Sequence, residues 1–237
     1  MIKITSHPQW IKDFLDLVEP YVDKVVNHKL FKDFSSGSLT IKQCQGALIN
    51  FYPLIETFPT YMALNLAKVP LGNSIWNKKT RDWLMANISQ ERLHTAWWRH
   101  FAAGFRVPSN ALDNEIYPPP EMDAINNYLW RICTHGSLAE GMSAANFAVE
   151  GPTGEWTKRV KGGFEKYRNV EGIEINEKTL EWVVAHASYD DRHPDEALEI
   201  IKAYVTTEEE QEKVKQAAKR TLEYYALALD SSYEIFK

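Results

Sequence analysis

Cysteine is close to absent from this 237-residue chain: Cys44 and Cys133 are its only two. Two thiols cannot build a disulfide framework or a four-cysteine zinc site, so free thiols and a cytoplasmic setting are expected. Basic charge is not in excess either. Lys and Arg number 27 against 32 Asp and Glu, a formal net charge of −5, and a nucleic-acid surface asks for the opposite balance. No apolar run reaches the ~18 residues of a membrane span. The opening MIKITSHPQWIKDF carries His, Gln and Asp where a secretory signal needs an apolar stretch. The stretches GPTG and KGG lack the spacing and the Lys-Ser/Thr pair of a phosphate-binding loop. Alternating strand patterns, long-period repeats and low-complexity segments are missing as well.

What the chain has in quantity is aromatic side chains: 8 Trp, 11 Tyr and 10 Phe. Rings in that number predict a broad aromatic core and suit a lined pocket. The hydrophobic pattern follows the 3.6-residue helical period nearly throughout. It predicts one all-α domain over 1–237, a bundle of seven or eight helices. Pro20 is expected to break the first helical region in two, and Pro53 and Pro59 to kink or split the region from Thr40 to Val69. A long helix is expected from Ser74 to about Gly104. VPSNALDNEIYPPP reads as a loop, and MDAINNYLWRICTHGSLAEGMSAANFAVE as one further long helix, with GPTGEW interrupting after it. NEKTLEWVVAHASYDDRHPDEALEIIKAYV reads as helix with a break at Pro194, and the last thirty or so residues as a closing amphipathic helix.

The chemistry-bearing residues cluster in three places. Glu91 and His94 stand at i and i+3, on one helix face. Such a pair alone is usually an ion pair. His186, Asp190 and His193 stand at i, i+4 and i+7, which on a continuous helix places a ligand at every turn of one face. Glu150 closes a run of small apolar residues, where an unpaired carboxylate is costly to bury. Together these make three carboxylates and three imidazoles on separate helices, the ligand inventory of a two-metal site in a helical bundle. Carboxylate with imidazole suits iron or manganese. Three carboxylates against two divalent cations leave one positive charge, which a substrate carboxylate would balance. The pattern differs from the common ferritin-like site, because Glu-x-x-His occurs once rather than twice.

The stretches WLMANISQERLH, NFAVEGPTGEW and HASYDDRHPDEALEII resemble the UndA-type non-haem iron oxidases, which convert medium-chain fatty acids to terminal alkenes. The wider group is the haem-oxygenase-like di-iron oxidases, related to TenA and PqqC. The resemblance runs over roughly residues 8–230. It implies a haem-oxygenase-like bundle with two Fe(II) and O₂ as co-substrate. Glu91, His94 and His186 would hold one iron. Glu150, Asp190 and His193 would hold the second, with a carboxylate bridging. The implied partners are an aliphatic carboxylic acid, an electron donor and a second copy of the chain.

Neighbouring groups fit less well at particular residues. The chlamydial relatives that make p-aminobenzoate consume a tyrosine of their own, and the matching place before SSGSLT holds Phe31. TenA-type thiaminases need a nucleophilic cysteine, and the surroundings of Cys133, RICTHGS, do not look like theirs. PqqC-type enzymes use no metal. A protein of this wider group that binds or transforms a thiamine- or aromatic-related molecule is the alternative reading. For a fatty tail, Phe51, Leu54, Phe58, Tyr61 and Met62, with Tyr128, Leu138 and Met142, offer the apolar side chains a channel would need. Trp97 lies one turn beyond His94.

Overall fold

The computed structural model describes residues 2–113, 117–188 and 192–234. Its elements are α1 (Gln9–Val26), α2 (Lys29–Ser36), α3 (Ile41–Ala67), α4 (Ile75–Gly104), the single turn α5 (Asn110–Asp113), α6 (Pro120–His135) and the short α7 (Leu138–Met142). A π-helical segment, Ser143–Phe147, leads to α8 (Glu150–Val160), and a 3₁₀ segment, Lys161–Lys166, leaves it. The chain closes with α9 (Glu177–Ser188), α10 (His193–Tyr204) and α11 (Glu208–Glu234). Among the described residues there is no strand, as the period predicts.

The expected number of helices is too low. Eleven are present among the described residues, against seven or eight expected. The region read as one helix from Met122 onward is broken at Gly136, where Ser137 starts α7 with a capping box. Its hydroxyl accepts from the Glu140 N–H, and the Glu140 carboxylate accepts from the Ser137 N–H. The expected loop after Val107 holds α5. Other expected breaks do not occur. α1 runs through Pro20, and α3 runs through both Pro53 and Pro59. A proline costs a helix one hydrogen bond and a steric clash. In α3 the buried Phe51, Tyr52, Leu54 and Phe58 around the two prolines are tied into the core, and that packing holds the helix together. GPTGEW does not interrupt anything; it is the first half of α8.

Burial follows the helical period. On α1, Ile11, Phe14, Val18 and Val25 are buried, and this face packs on α11. α4 lies between α3 and α9, and α8 packs on the other side of α9. The join of α4 to α9 is close because Gly104 ends α4. A Cβ there would meet Thr179 Cγ2 at 2.3 Å and the Glu174 carbonyl oxygen at 2.7 Å. The Gly104 carbonyl accepts from the Glu174 N–H at 2.9 Å. That contact fixes the start of α9 against the end of α4 and sets the middle of each helix beside the other.

Candidate metal centre

The middle of α4 and the end of α9 bring together the first two groups. Glu91 and His94 are 6 % and 4 % exposed, and Glu91 Oε2 lies 2.6 Å from His94 Nδ1. The His186 ring stands 4.6 Å from that of His94, centroid to centroid. His186 Nδ1 donates to the Trp182 carbonyl at 2.7 Å. That bond fixes the tautomer and leaves Nε2 as the nitrogen with a lone pair. Burial and the neighbouring His94 push the His186 imidazole down to about 3. It is therefore neutral near pH 7, the form that ligates a metal.

The third group comes from the π-helical segment and α8. The extra residue that a π-turn accommodates re-aims the side chains after it. Ser143 anchors the segment by donating to the Val214 carbonyl at 2.8 Å. Asn146 Nδ2 then donates to Glu150 Oε1 at 2.7 Å. The other oxygen, Oε2, lies 3.3 Å from His193 Nδ1. Glu150 is buried, in the first turn of α8, where the helix dipole favours a carboxylate.

The helix expected to carry His186, Asp190 and His193 on one face is not continuous. α9 ends at Ser188 and α10 begins at His193. Pro194 takes a first-turn position of α10, where the N–H it lacks would have no intrahelical partner, so a helix can start here. The break precedes His193 rather than falling at Pro194. Asp190, with Tyr189 and Asp191, lies outside the described residues. The two histidines still reach one place, because α8 and α4 meet both helices.

Glu91, His94, Glu150, His186 and His193 all line one cavity of about 50 Å³. By the measure of ~10–15 Å³ per water, that is room for a few small molecules of solvent size. Among the described residues no three His, Cys, Asp or Glu side chains are already disposed around one point as metal ligands. They stand instead as two carboxylate–imidazole pairs, Glu91 with His94 and Glu150 with His193, with the His186 ring beside that of His94.

The rest of the cavity wall is largely aromatic: Phe51, Phe58, Trp98, Trp156, Trp182 and Tyr225. Trp182 stacks on His186 at 4.0 Å and on Trp156 at 5.6 Å. The Tyr225 hydroxyl accepts from Trp156 Nε1 at 3.0 Å and lies 3.1 Å from Thr153 Oγ1. Burial raises the Tyr225 phenol above its ordinary range. Of the expected channel residues, Phe51, Leu54 and Phe58 line the cavity, while Tyr61, Met62, Tyr128, Leu138 and Met142 are core. Trp98 lines it and Trp97 does not, though Trp97 stands 5.2 Å from His94. A second cavity of about 60 Å³ adjoins it and shares Phe51, Trp98 and Trp156. Its lining is wholly apolar, with Leu30, Phe31, Phe34, Leu39, Ala47 and Leu48 among its walls.

The model of a family described as iron-containing redox enzymes matches residues 45–226. The chain belongs to this family. A TenA homologue of known structure from Pseudomonas syringae pv. tomato is 31% identical, with a TM-score of 0.88 and 98% of each chain covered. A 4-aminobenzoate synthase of Chlamydia muridarum is 24% identical over 229 residues, 94% of this chain and 91% of that protein. A putative TenA-like thiaminase from Sulfolobus solfataricus shares the fold, with a TM-score of 0.72 at 14% identity and 98% of each chain covered. The haem-oxygenase-like helical fold and the TenA relationship expected from the motifs are therefore in place. Family membership also gives the cluster on α4, α8, α9 and α10 its context, since the match spans all of Glu91, His94, Glu150, His186 and His193.

Proposed function

We propose that the chain is a non-haem iron, O₂-dependent oxidase acting on a small molecule enclosed between α3, α4, α8 and α9. One observation carries the reading: carboxylates and imidazoles from four helices face a single cavity whose remaining wall is mostly rings. Glu91, His94 and His186 would hold one Fe(II), and Glu150, Asp190 and His193 the second. The donor chemistry suits iron, with neutral imidazole and carboxylate and no thiolate. Iron bound there would supply O₂ activation and removal of hydrogen from an unactivated C–H bond, which acid–base residues cannot begin. The protein's own part is to enclose, orient and exclude water. Trp98, Trp156 and Trp182 wall the cavity, and the Trp182 carbonyl holds His186 in its ligating tautomer.

For the substrate, the adjoining apolar cavity favours an aliphatic carboxylic acid. The carboxylate would lie toward the ligand cluster and the tail past Phe51, Trp98 and Trp156. Each buried methylene would add about 0.8 kcal/mol of affinity before ordering costs. A medium-chain fatty acid, oxidatively decarboxylated to a terminal alkene, is the reading the UndA-like motifs suggest. An external electron donor would complete the O₂ chemistry.

A second reading has its own support, and the named relatives favour it: transformation of an aromatic- or thiamine-related molecule. Phe31, stacked on Trp156 at 4.3 Å, offers no hydroxyl, but Tyr225 places a buried phenol in the cavity itself. The thiaminase branch is disfavoured by the thiols. Burial pushes both Cys44 and Cys133 up to about 12, the wrong direction for a nucleophile.

One experiment separates the readings. The Fe(II)-loaded protein is exposed to O₂ with and without dodecanoic acid. Headspace mass spectrometry detects 1-undecene, and liquid chromatography detects oxidised acid and 4-aminobenzoate. Alkene supports the decarboxylase. Oxidised acid alone leaves an oxygenase. 4-Aminobenzoate supports the second reading. No O₂ uptake under any condition contradicts both.

A further inference from the structure

His193 is the candidate ligand that stands at the very start of its helix. It opens α10, directly after the break from α9, and it lines both the inner cavity and a cleft of about 330 Å³ on the outer side. Its ring meets the Trp83 ring edge-on, at 5.8 Å between centroids and 82°. Trp83 is itself fixed: its indole Nε1 donates to Glu196 Oε2 at 2.7 Å. Glu196 is only 4 % exposed and lies one turn along α10 from His193. Its second oxygen, Oε1, accepts from the Ile2 N–H at 2.9 Å. The next turn repeats the arrangement, since Glu199 accepts from the Thr5 N–H at 2.7 Å and from Lys202 at 2.7 Å.

Two buried carboxylates on one helix thus bind the segment before α1, and one of them also grips the indole that borders His193. Burying a carboxylate is expensive, and a purely structural join could be made with apolar groups at less cost. The hydrogen bonds of Glu196 connect α4, α10 and the N-terminal segment at the place where the chain enters His193.

We propose that Glu196 and Trp83 are positioning residues for His193, and that the segment from Ile2 to Thr5 is part of the same support. The inference rests on the assignment of His193 as a metal ligand. A rigid α10 start with Trp83 against the ring would hold the imidazole at its place facing Glu150. Loosening that support would weaken the iron bound through Glu150 and His193 and spare the iron bound through Glu91, His94 and His186.

The test is an anaerobic Co(II) titration followed by visible absorption. It compares the parent, Trp83→Phe, Glu196→Gln and a chain lacking residues 1–7, with the melting temperature of each metal-free protein. The parent is expected to bind two equivalents. Each variant should bind the first as the parent does and the second about 10–100-fold more weakly, the range for groups that orient a ligand. Imidazole ¹⁵N resonances of the metal-free proteins give a readout free of metal. Those of His193 should shift in Trp83→Phe while those of His94 and His186 stay. Variants that bind both equivalents like the parent overturn the inference and leave the metal centre standing. Equal weakening of both sites together with a lower melting temperature also overturns it, in favour of a general role in folding. A parent that binds no Co(II) contradicts the metal centre itself, and unshifted His193 resonances in Trp83→Phe then remove the positioning role as well.

Discussion

At the residue scale, the centre depends on which nitrogen or oxygen each side chain has left to offer. His186 gives its Nδ1 proton to the Trp182 carbonyl and is held neutral by burial. Replacing His186 with Ala should remove most bound iron from the protein, as measured by metal analysis after anaerobic loading and desalting. Glu150 has one oxygen engaged by Asn146. Asn146→Leu should weaken iron binding about tenfold or more while leaving Glu91 and His94 untouched, which an Fe(II) titration with a competing chelator would read. In the sequence, Glu91 with His94 and His186 with His193 stand out as carboxylate and imidazole at helical spacing, and Glu150 by the small apolar run that it closes; the fold brings these five to one cavity. Asn146 and Trp182 do not stand out, although each lies four residues before the ligand it serves. Amide side chains and main-chain carbonyls carry no distinctive spacing signal. Tyr225 was invisible for another reason: it comes from α11, far along the chain, and only the fold brings it to Thr153 and Trp156.

At the element scale, α4 and α11 were legible from end to end, since their period is long and their flanks hold turn residues. The errors concern proline and the joins. Pro20, Pro53 and Pro59 sit in helices that packing holds intact, whereas Pro194 marks a real start because it stands in the first turn. The α4–α9 join rests on Gly104. Gly104→Ala should destabilise the protein by about 1–3 kcal/mol, as overpacking does, with denaturant unfolding as the measurement. The N-terminal join responds to pH. Burial alone would raise the Glu199 carboxyl, but the bonds from Lys202 and Thr5 outweigh it and hold it below its usual range. Its contribution is complete above the unfolded value of ~4.3 and is lost as pH falls through the lower folded value. Amide exchange at Thr5, whose N–H is bonded to Glu199, should accordingly be protected at about pH 6 and lose that protection toward pH 3, after correction for intrinsic rates. Unchanged protection across that range would remove Glu199 as the clamp.

At the scale of the whole molecule, the buried apolar side chains form one core, and two cavities adjoin within it. No helix among the described residues is long and apolar enough to cross a membrane. The helical class and the haem-oxygenase-like relationship were legible because the period and the quoted motifs extend over most of the chain. The partition of the interior into a cavity that holds the carboxylates and imidazoles and a wholly apolar one was not, since it depends on where Phe51, Trp98 and Trp156 meet. If the apolar cavity takes an aliphatic tail, Ala47→Leu should fill it. Affinity for dodecanoate should fall about tenfold, a short acid should be affected less, and stability should change little. Calorimetric titration with both acids checks this. A homodimer is expected from the UndA-like resemblance, and a sedimentation mass near 27.3 kDa would contradict it.

If these helices converge on iron, the iron held per chain decides the matter. The parent and His186→Ala are loaded anaerobically with Fe(II), freed of excess metal and analysed. Two irons per parent chain are expected, with most of them lost in the variant and the helical circular dichroism of both unchanged. A parent that retains no iron, or a variant that retains as much as the parent, would contradict the iron centre.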